Sequence, residues 1–93
     1  MNFSHALEHL KSGKRLRDRT WPTGQFLALQ KGYPNGIPIN DNTAAALHIA
    51  PRTIKKFPAY LIISKPNGDC YPWTPQHTEI LSNLWDLIGD EDA

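Results

Sequence analysis

Apolar residues recur along the chain with two different periods. Phe3, Ala6, Leu7 and Leu10 fall at i, i+3, i+4 and i+7, which puts them on one face of a helix. That spacing predicts a helix over about residues 3–12. Asn2 or Ser4 is suited to capping its start, and Gly13 to the left-handed position past its end. Lys11 in the last turn and Lys14 just beyond complement the helix dipole. Alternation then replaces the helical period. Leu16 points inward from a short strand, with Arg15 and Arg17 pointing out. Gln25 to Gln30 reads as a second strand, with Phe26 and Ala28 on one face and Leu27 and Leu29 on the other. Trp21-Pro22-Thr23-Gly24 joins the two as an antiparallel pair.

Lys31 to Asn40 holds repeated glycine and proline turn signals and reads as a loop. Asp41 or Asn42 caps a short helix over Thr43 to Ile49, which Pro51 ends. Arg52 to Pro58 leads back to the sheet. The densest signals lie between Tyr60 and Trp85. Tyr60 to Ser64 is rich in β-branched and aromatic residues. Asn67-Gly68 predicts a type I′ hairpin turn, because both residues tolerate positive φ. Thr74-Pro75 opens a helix, the threonine as cap and the proline at the first helical position. That helix carries Ile80, Leu81 and Leu84 on one side. Trp85, Leu87 and Ile88 alternate as a final short strand, and Gly89 to Ala93 is an acidic tail expected to fray. The pattern is that of an α+β protein forming a single domain over 1–93. It has a small antiparallel sheet, an N-terminal helix and a helix after the Asn67-Gly68 hairpin.

Length changes this picture first. A chain of 93 residues, 40% apolar, buries a thin core, so a homo-oligomer is expected to bury more. Ten basic and nine acidic side chains give a net charge of +1, which leaves no electrostatic footprint for nucleic acid or an anionic membrane. One cysteine, Cys70, excludes an internal disulfide and suits a reducing compartment. His5, Glu8 and His9 in the first turns are foreign to a signal peptide, and no apolar run reaches the roughly 20 residues of a membrane span. A soluble protein of the cytoplasm is expected.

Candidate chemistry is sparse. His5-Ala6-Leu7-Glu8-His9 matches the H-x-x-E-H pattern of some zinc peptidases, but the pattern needs a third ligand and a substrate cleft. Solvated polar residues on the outer helix face explain it better. Gly13-Lys14 lacks the upstream glycine and the following hydroxyl residue of a phosphate-binding loop. His77 and Glu79 form an acid–base pair only if the last helix lines a cleft. Cys70, in a strand, reads as a small buried side chain. The aromatics say more. Trp21 and Trp73 sit at strand-to-turn junctions, where an indole either plugs a core or offers a stacking platform for a purine. Trp85, at a helix end, reads as core. Arg17 and Arg19 offer forked donors for phosphate, and Asp69 an acceptor for a sugar hydroxyl or an exocyclic amine.

The order of these motifs resembles a family of small phage and prophage proteins. Phe3-x-x-Ala6-Leu7-x-x-Leu10-Lys11-x-Gly13-Lys14-x-Leu16-x-x-Arg19-x-Trp21 is similar to the family's opening, with Arg17 as an alternative match for its arginine. Phe26-Leu27-x-Leu29, Pro58-x-Tyr60-Leu61 and Pro66-Asn67-Gly68 resemble its strands and hairpin. Trp73-x-Pro75-x-x-x-Glu79-Ile80-Leu81-Ser82-x-x-Trp85 resembles its closing signature, and the likeness covers nearly the whole chain. The family is that of Thoeris anti-defence proteins of the second type. The resemblance implies a homotetramer of small α+β protomers that binds cyclic ADP-ribose isomers between protomers. It holds them intact, as a sponge for a TIR-derived immune signal, and some members hold cyclic dinucleotides at a separate site. It implies no catalysis, no cofactor and no metal. Carried onto this chain, the expected ligand-binding residues are Arg17, Arg19, Trp21, Asp69, Trp73 and Thr74. His77, Glu79 and Leu84 stand where the family usually has glutamine, aspartate and aspartate, so ligand choice is expected to differ. Two readings of other classes stand beside it: a protein-interaction module using exposed aromatics, and a small hydrolase using His77 and Glu79.

Overall fold

The computed structural model describes residues 1–89; residues 90–93, most of the expected acidic tail, lie outside it. In chain order the elements are α1 (Phe3–Lys11), β1 (Arg15–Asp18), β2 (Phe26–Gln30), β3 (Tyr33–Pro38), α2 (Asp41–Leu47), β4 (Ile54–Phe57), β5 (Tyr60–Ser64), β6 (Cys70–Pro72), α3 (His77–Ile80) and β7 (Trp85–Ile88). Five strands form one antiparallel sheet in the order β6-β5-β2-β1-β7, and β3 and β4 form a separate ribbon. The α+β class and the antiparallel sheet are as expected.

The N-terminal helix forms where its apolar period lies. Asn2 caps it by accepting from the His5 N–H at 2.9 Å, and Gly13 follows it at φ +87°. Its buried Ala6 and Leu10 lie on one face of the sheet against Leu16, Leu27, Ile63 and Trp85. Leu16 pairs with Leu27 across β1 and β2, and Leu27 with Ile63 across β2 and β5, so the central layer is a row of aliphatic side chains on one face. β7 returns beside β1 with Asp18 opposite Trp85 and Arg17 opposite Asp86. Among the described residues no helix packs over the other face, which carries Arg15, Arg17, Phe26, Ala28 and Ile62, all half-buried.

Several expectations need correction. The segment Lys31–Asn40 is not a loop: Tyr33 to Pro38 is a strand paired with β4, with a register shift between Tyr33 and Ile37 that absorbs its prolines and glycine. Residues 52–58 accordingly return through this ribbon before reaching the sheet. The β5–β6 turn is not type I′. Pro66 fixes a negative φ, Asn67 keeps one, and only Gly68 is left-handed, at φ +96°. The Gly68 N–H donates to the Lys65 carbonyl at 3.0 Å and the Lys65 N–H to the Asp69 carbonyl at 2.8 Å, which makes a turn with a glycine bulge. Thr74 does not cap the helix after the hairpin; Gln76 holds that position, and the Glu79 carboxylate accepts its N–H at 2.8 Å. Finally, α3 is a single turn, so Ile80, Leu81 and Leu84 do not form a buried stripe and all three are exposed. Cys70 is likewise exposed, on the edge strand β6.

The β3–α2–β4 segment projects as an arm. The radius of gyration is 15.7 Å, against about 12 Å for a compact domain of this length. Asn40 rather than Asp41 caps α2, accepting from the Thr43 N–H at 2.8 Å. Ile39 and Ala44 are buried within the arm, outside the main core cluster. Where the two chains of the arm leave the sheet they nearly touch: a Cβ on Gly32 would stand 2.5 Å from the Ala59 nitrogen and 2.7 Å from the Phe57 carbonyl oxygen. Gly32→Ala must therefore push backbone apart. It is expected to destabilise by about 1–3 kcal/mol in urea titration, whereas Asn35→Ala in the exposed part of β3 should stay near neutral.

Candidate functional site

Three tryptophans and a phenylalanine meet at one end of the sheet. Trp85 is wholly buried, and its Nε1–H donates to the Glu79 carbonyl at 3.0 Å. Trp21 meets it edge-on at 5.2 Å between centroids and 81°, and Trp73 at 6.1 Å and 82°. Trp21 and Trp73 also meet edge-on at 6.4 Å, and Phe3 packs on Trp85 at 5.6 Å. Such edge-to-face geometry adds roughly 0.5–1.5 kcal/mol per pair beyond the area buried. Trp85 is core, as its sequence position suggested. Trp21 and Trp73 are half-buried members of one cluster, each with one side engaged in packing.

The exposed part of Trp21 lines an open cleft of about 480 Å³ with Asp18, Thr20, Gln76, Thr78, Glu79, Ser82, Asn83 and Leu84. Two hydrophobic positions among hydroxyls, amides and the carboxylates of Asp18 and Glu79 are a surface for the uncharged polar edges of a base or a sugar. Asp18 sets its floor. Its Oδ1 accepts from the Thr20 N–H at 2.9 Å and the Thr20 hydroxyl at 2.7 Å, and its Oδ2 accepts from the Ser82 hydroxyl at 2.7 Å. Burial pushes this carboxyl up, but the bonds from Ser82 and Thr20 together with the nearby Arg17 charge outweigh it and hold Asp18 below its ordinary value. The network ties β1 to the segment after α3 and so fixes the cleft walls relative to each other.

The expected site residues are only partly brought together. Arg17 runs beneath the β1–β2 connection, where its Nη2 donates to the Trp21 carbonyl at 2.6 Å; its Nε is buried without a partner among the described residues. Arg19 is paired with Asp86 at 2.9 Å, which raises its pKa above the ordinary value, and it does not line the Trp21 cleft. Asp69 is exposed at the β5–β6 turn, where its N–H donates to the Asn67 side chain and its carboxylate accepts from it. Thr74 is exposed between β6 and α3, and neither residue lines the Trp21 cleft. His77 does not line it either, and Glu79 spends a carboxylate oxygen on the Gln76 N–H, so the acid–base pair is not assembled there. Among the described residues no group of three or more His, Cys, Asp or Glu side chains is arranged to hold a metal.

Sequence reasoning missed Asp18, Thr20, Gln76, Thr78, Ser82 and Asn83. Asp18-Arg19-Thr20 carried a signal, since an aspartate two residues before a threonine favours the local turn seen here. The Ser82 contact joins positions 64 apart and had no local signal.

These features define a small antiparallel α+β protein with a tryptophan cluster at one end of its sheet and open polar clefts beside it. The chain belongs to the Thoeris anti-defense 2-like (Tad2-like) domain family, whose model matches residues 1–88. That membership places it among Thoeris anti-defence proteins. No curated protein matches it in a sequence search. No helix among the described residues is long and apolar enough to cross a membrane.

Proposed function

We propose that the protein is a non-enzymatic sponge that binds and holds a cyclic nucleotide immune signal, with cyclic ADP-ribose isomers as the leading class and cyclic dinucleotides as the next. The observation that carries this reading is the Trp21 cleft: one indole beside the hydroxyls of Thr20, Thr78 and Ser82 and the amides of Gln76 and Asn83. A base stacks on the indole while the hydroxyl and amide groups bond its edge or a ribose. Family membership supplies the context. Pre-set side chains lower the cost of ordering on binding, which a stoichiometric sequestering protein needs. Assembly as a homotetramer belongs to the same proposal. It is supported by the small core and by the half-buried apolar residues left on the helix-free sheet face.

The test is a thermal-shift screen with cyclic ADP-ribose isomers, cyclic dinucleotides, ADP-ribose and NAD, followed by recovery of the ligand after heat denaturation. A ligand at a hundredfold excess over its Kd adds about 2.7 kcal/mol, a shift of several degrees. The expected result is a large shift with one cyclic species, which is then recovered unchanged. Trp21→Ala should weaken binding by roughly ten- to a hundredfold, measured by calorimetry. Recovery of a hydrolysed product would overturn the sponge reading.

A second reading has its own observation. Ile80, Leu84 and Leu87 are about 40% exposed and Leu81 is 77% exposed, aliphatic side chains that a protein partner would cover. A flat response across the nucleotide panel favours that module.

A further inference from the structure

The helix-free face of the sheet carries a second cleft, of about 340 Å³, lined by Arg15, Arg17, Thr23, Gly24, Phe26 and Ile88. We infer that this cleft is an anion site in which Arg15 and Arg17, not Arg19, hold the phosphates of the bound nucleotide. The inference rests on the nucleotide reading above for the ligand's identity, but its geometry is independent of the Trp21 cleft.

Strand alternation sends Leu16 and Asp18 to the core and Arg15 and Arg17 together to the opposite face. Two guanidinium groups thus stand two residues apart beside one concavity. Arg15 lies over the Phe26 ring at 5.3 Å and makes only a long bond, 3.4 Å, to the Gly89 carbonyl. Among the described residues most of its donors meet no acceptor. Arg17 is anchored by Nη2 to the Trp21 carbonyl and keeps a buried Nε–H that finds no acceptor among the described residues. A buried donor left unmet is costly where it stands, and the other guanidinium donors of Arg17 beside the cleft suit a phosphate oxygen.

Among the described residues one negative charge stands nearby, since Asp86 lies opposite Arg17 across β1 and β7. It is engaged by Arg19, whose Nε donates to both carboxylate oxygens at 3.1 and 2.9 Å. Arg19 therefore neutralises the acid beside the cleft and does not itself reach for the ligand. The β1–β2 connection serves both clefts, with Trp21 on the polar one and Thr23 and Gly24 on the basic one.

The first probe is inorganic pyrophosphate, followed through the side-chain Nε–H signals of the arginines by NMR. The expected result is a saturable shift at Arg15 and Arg17, lost in Arg15→Gln and partly kept in Arg15→Lys. Arg19→Gln should weaken binding only through the unmasked Asp86, so the double variant Arg19→Gln/Asp86→Asn should bind as wild type does. No saturable shift at Arg15 and Arg17, or loss of binding in that double variant, overturns the assignment. Because pyrophosphate has no base or sugar, this arm stands even if no nucleotide stabilises the protein. The second probe is whichever pyrophosphate-bridged cyclic nucleotide the thermal screen selects. It should bind more tightly than pyrophosphate and lose about tenfold in Arg15→Gln. Undiminished nucleotide binding in Arg15→Gln, with its near-ultraviolet dichroism intact, sinks the phosphate site and leaves the sponge reading standing.

Discussion

Trp85→Ala should cost about 3–5 kcal/mol, the largest loss expected from any single truncation in this chain. The indole is wholly buried, contacts Trp21, Trp73 and Phe3, and donates to the Glu79 carbonyl. Removing it opens a cavity, strands that carbonyl and takes away the surface on which the other aromatics pack. A domain of this size is stable by about 5–15 kcal/mol at most, so the variant should be largely unfolded on mild heating. Urea titration read by far-ultraviolet dichroism gives the difference directly. Trp85→Phe separates the contributions, since it keeps most of the apolar volume and loses the hydrogen bond. It should recover more than half of the loss. Trp73→Ala, at a half-buried position, should cost clearly less than Trp85→Ala; equal costs would contradict the placement of the core.

Asp18→Ala should cost roughly 1.5–3 kcal/mol, because it leaves the Thr20 N–H and hydroxyl and the Ser82 hydroxyl without their acceptor beside a 3% exposed position. Its pH dependence has a definite sign. The folded-state pKa lies below the ordinary value of 3.8, so the folded chain binds its proton less readily than the unfolded chain. The stabilisation is fully present above about pH 4 and is lost as pH falls through the depressed folded value. Stability measured from pH 5 downward should therefore fall more steeply in wild type than in Asp18→Asn, whose amide does not titrate in that range. Parallel curves would show that the carboxylate contributes nothing through its charge.

How much of this was legible depended on whether the signal was local. The α1 stripe of Ala6 and Leu10, the alternation around Leu16 and Leu27, and the final strand at Trp85 are periodicities, and the structure keeps them. Pro34, Gly36 and Pro38 read as punctuation because their pairing partners lie at Ile54 to Phe57, beyond any local window. The turn at Asn67-Gly68 was placed correctly and typed wrongly, because Pro66 determines the geometry one residue earlier. At the candidate site, the arginines and tryptophans stood out as residue types. Which of them share a cleft depended on strand alternation and on the long-range Asp18–Ser82 bond. Arg15 was read as a surface residue for that reason, and Arg19 as a ligand residue although Asp86 holds it.

The junction at which the arm leaves the sheet has a consequence for how such a protein diversifies. Gln30 and Tyr60 are paired in register, so the sheet is already closed below the arm. Everything from residue 31 to residue 59 is an excursion from a complete hairpin, and doubling the length of such an excursion costs only about 0.6 kcal/mol in closure entropy. Selection can therefore lengthen, trim or rewrite the arm with little penalty to the core, provided the crossing at Gly32 is kept. Variation in length and in partner preference among related chains is then expected to concentrate there, while the tryptophan end, which carries the proposed ligand cleft, changes slowly.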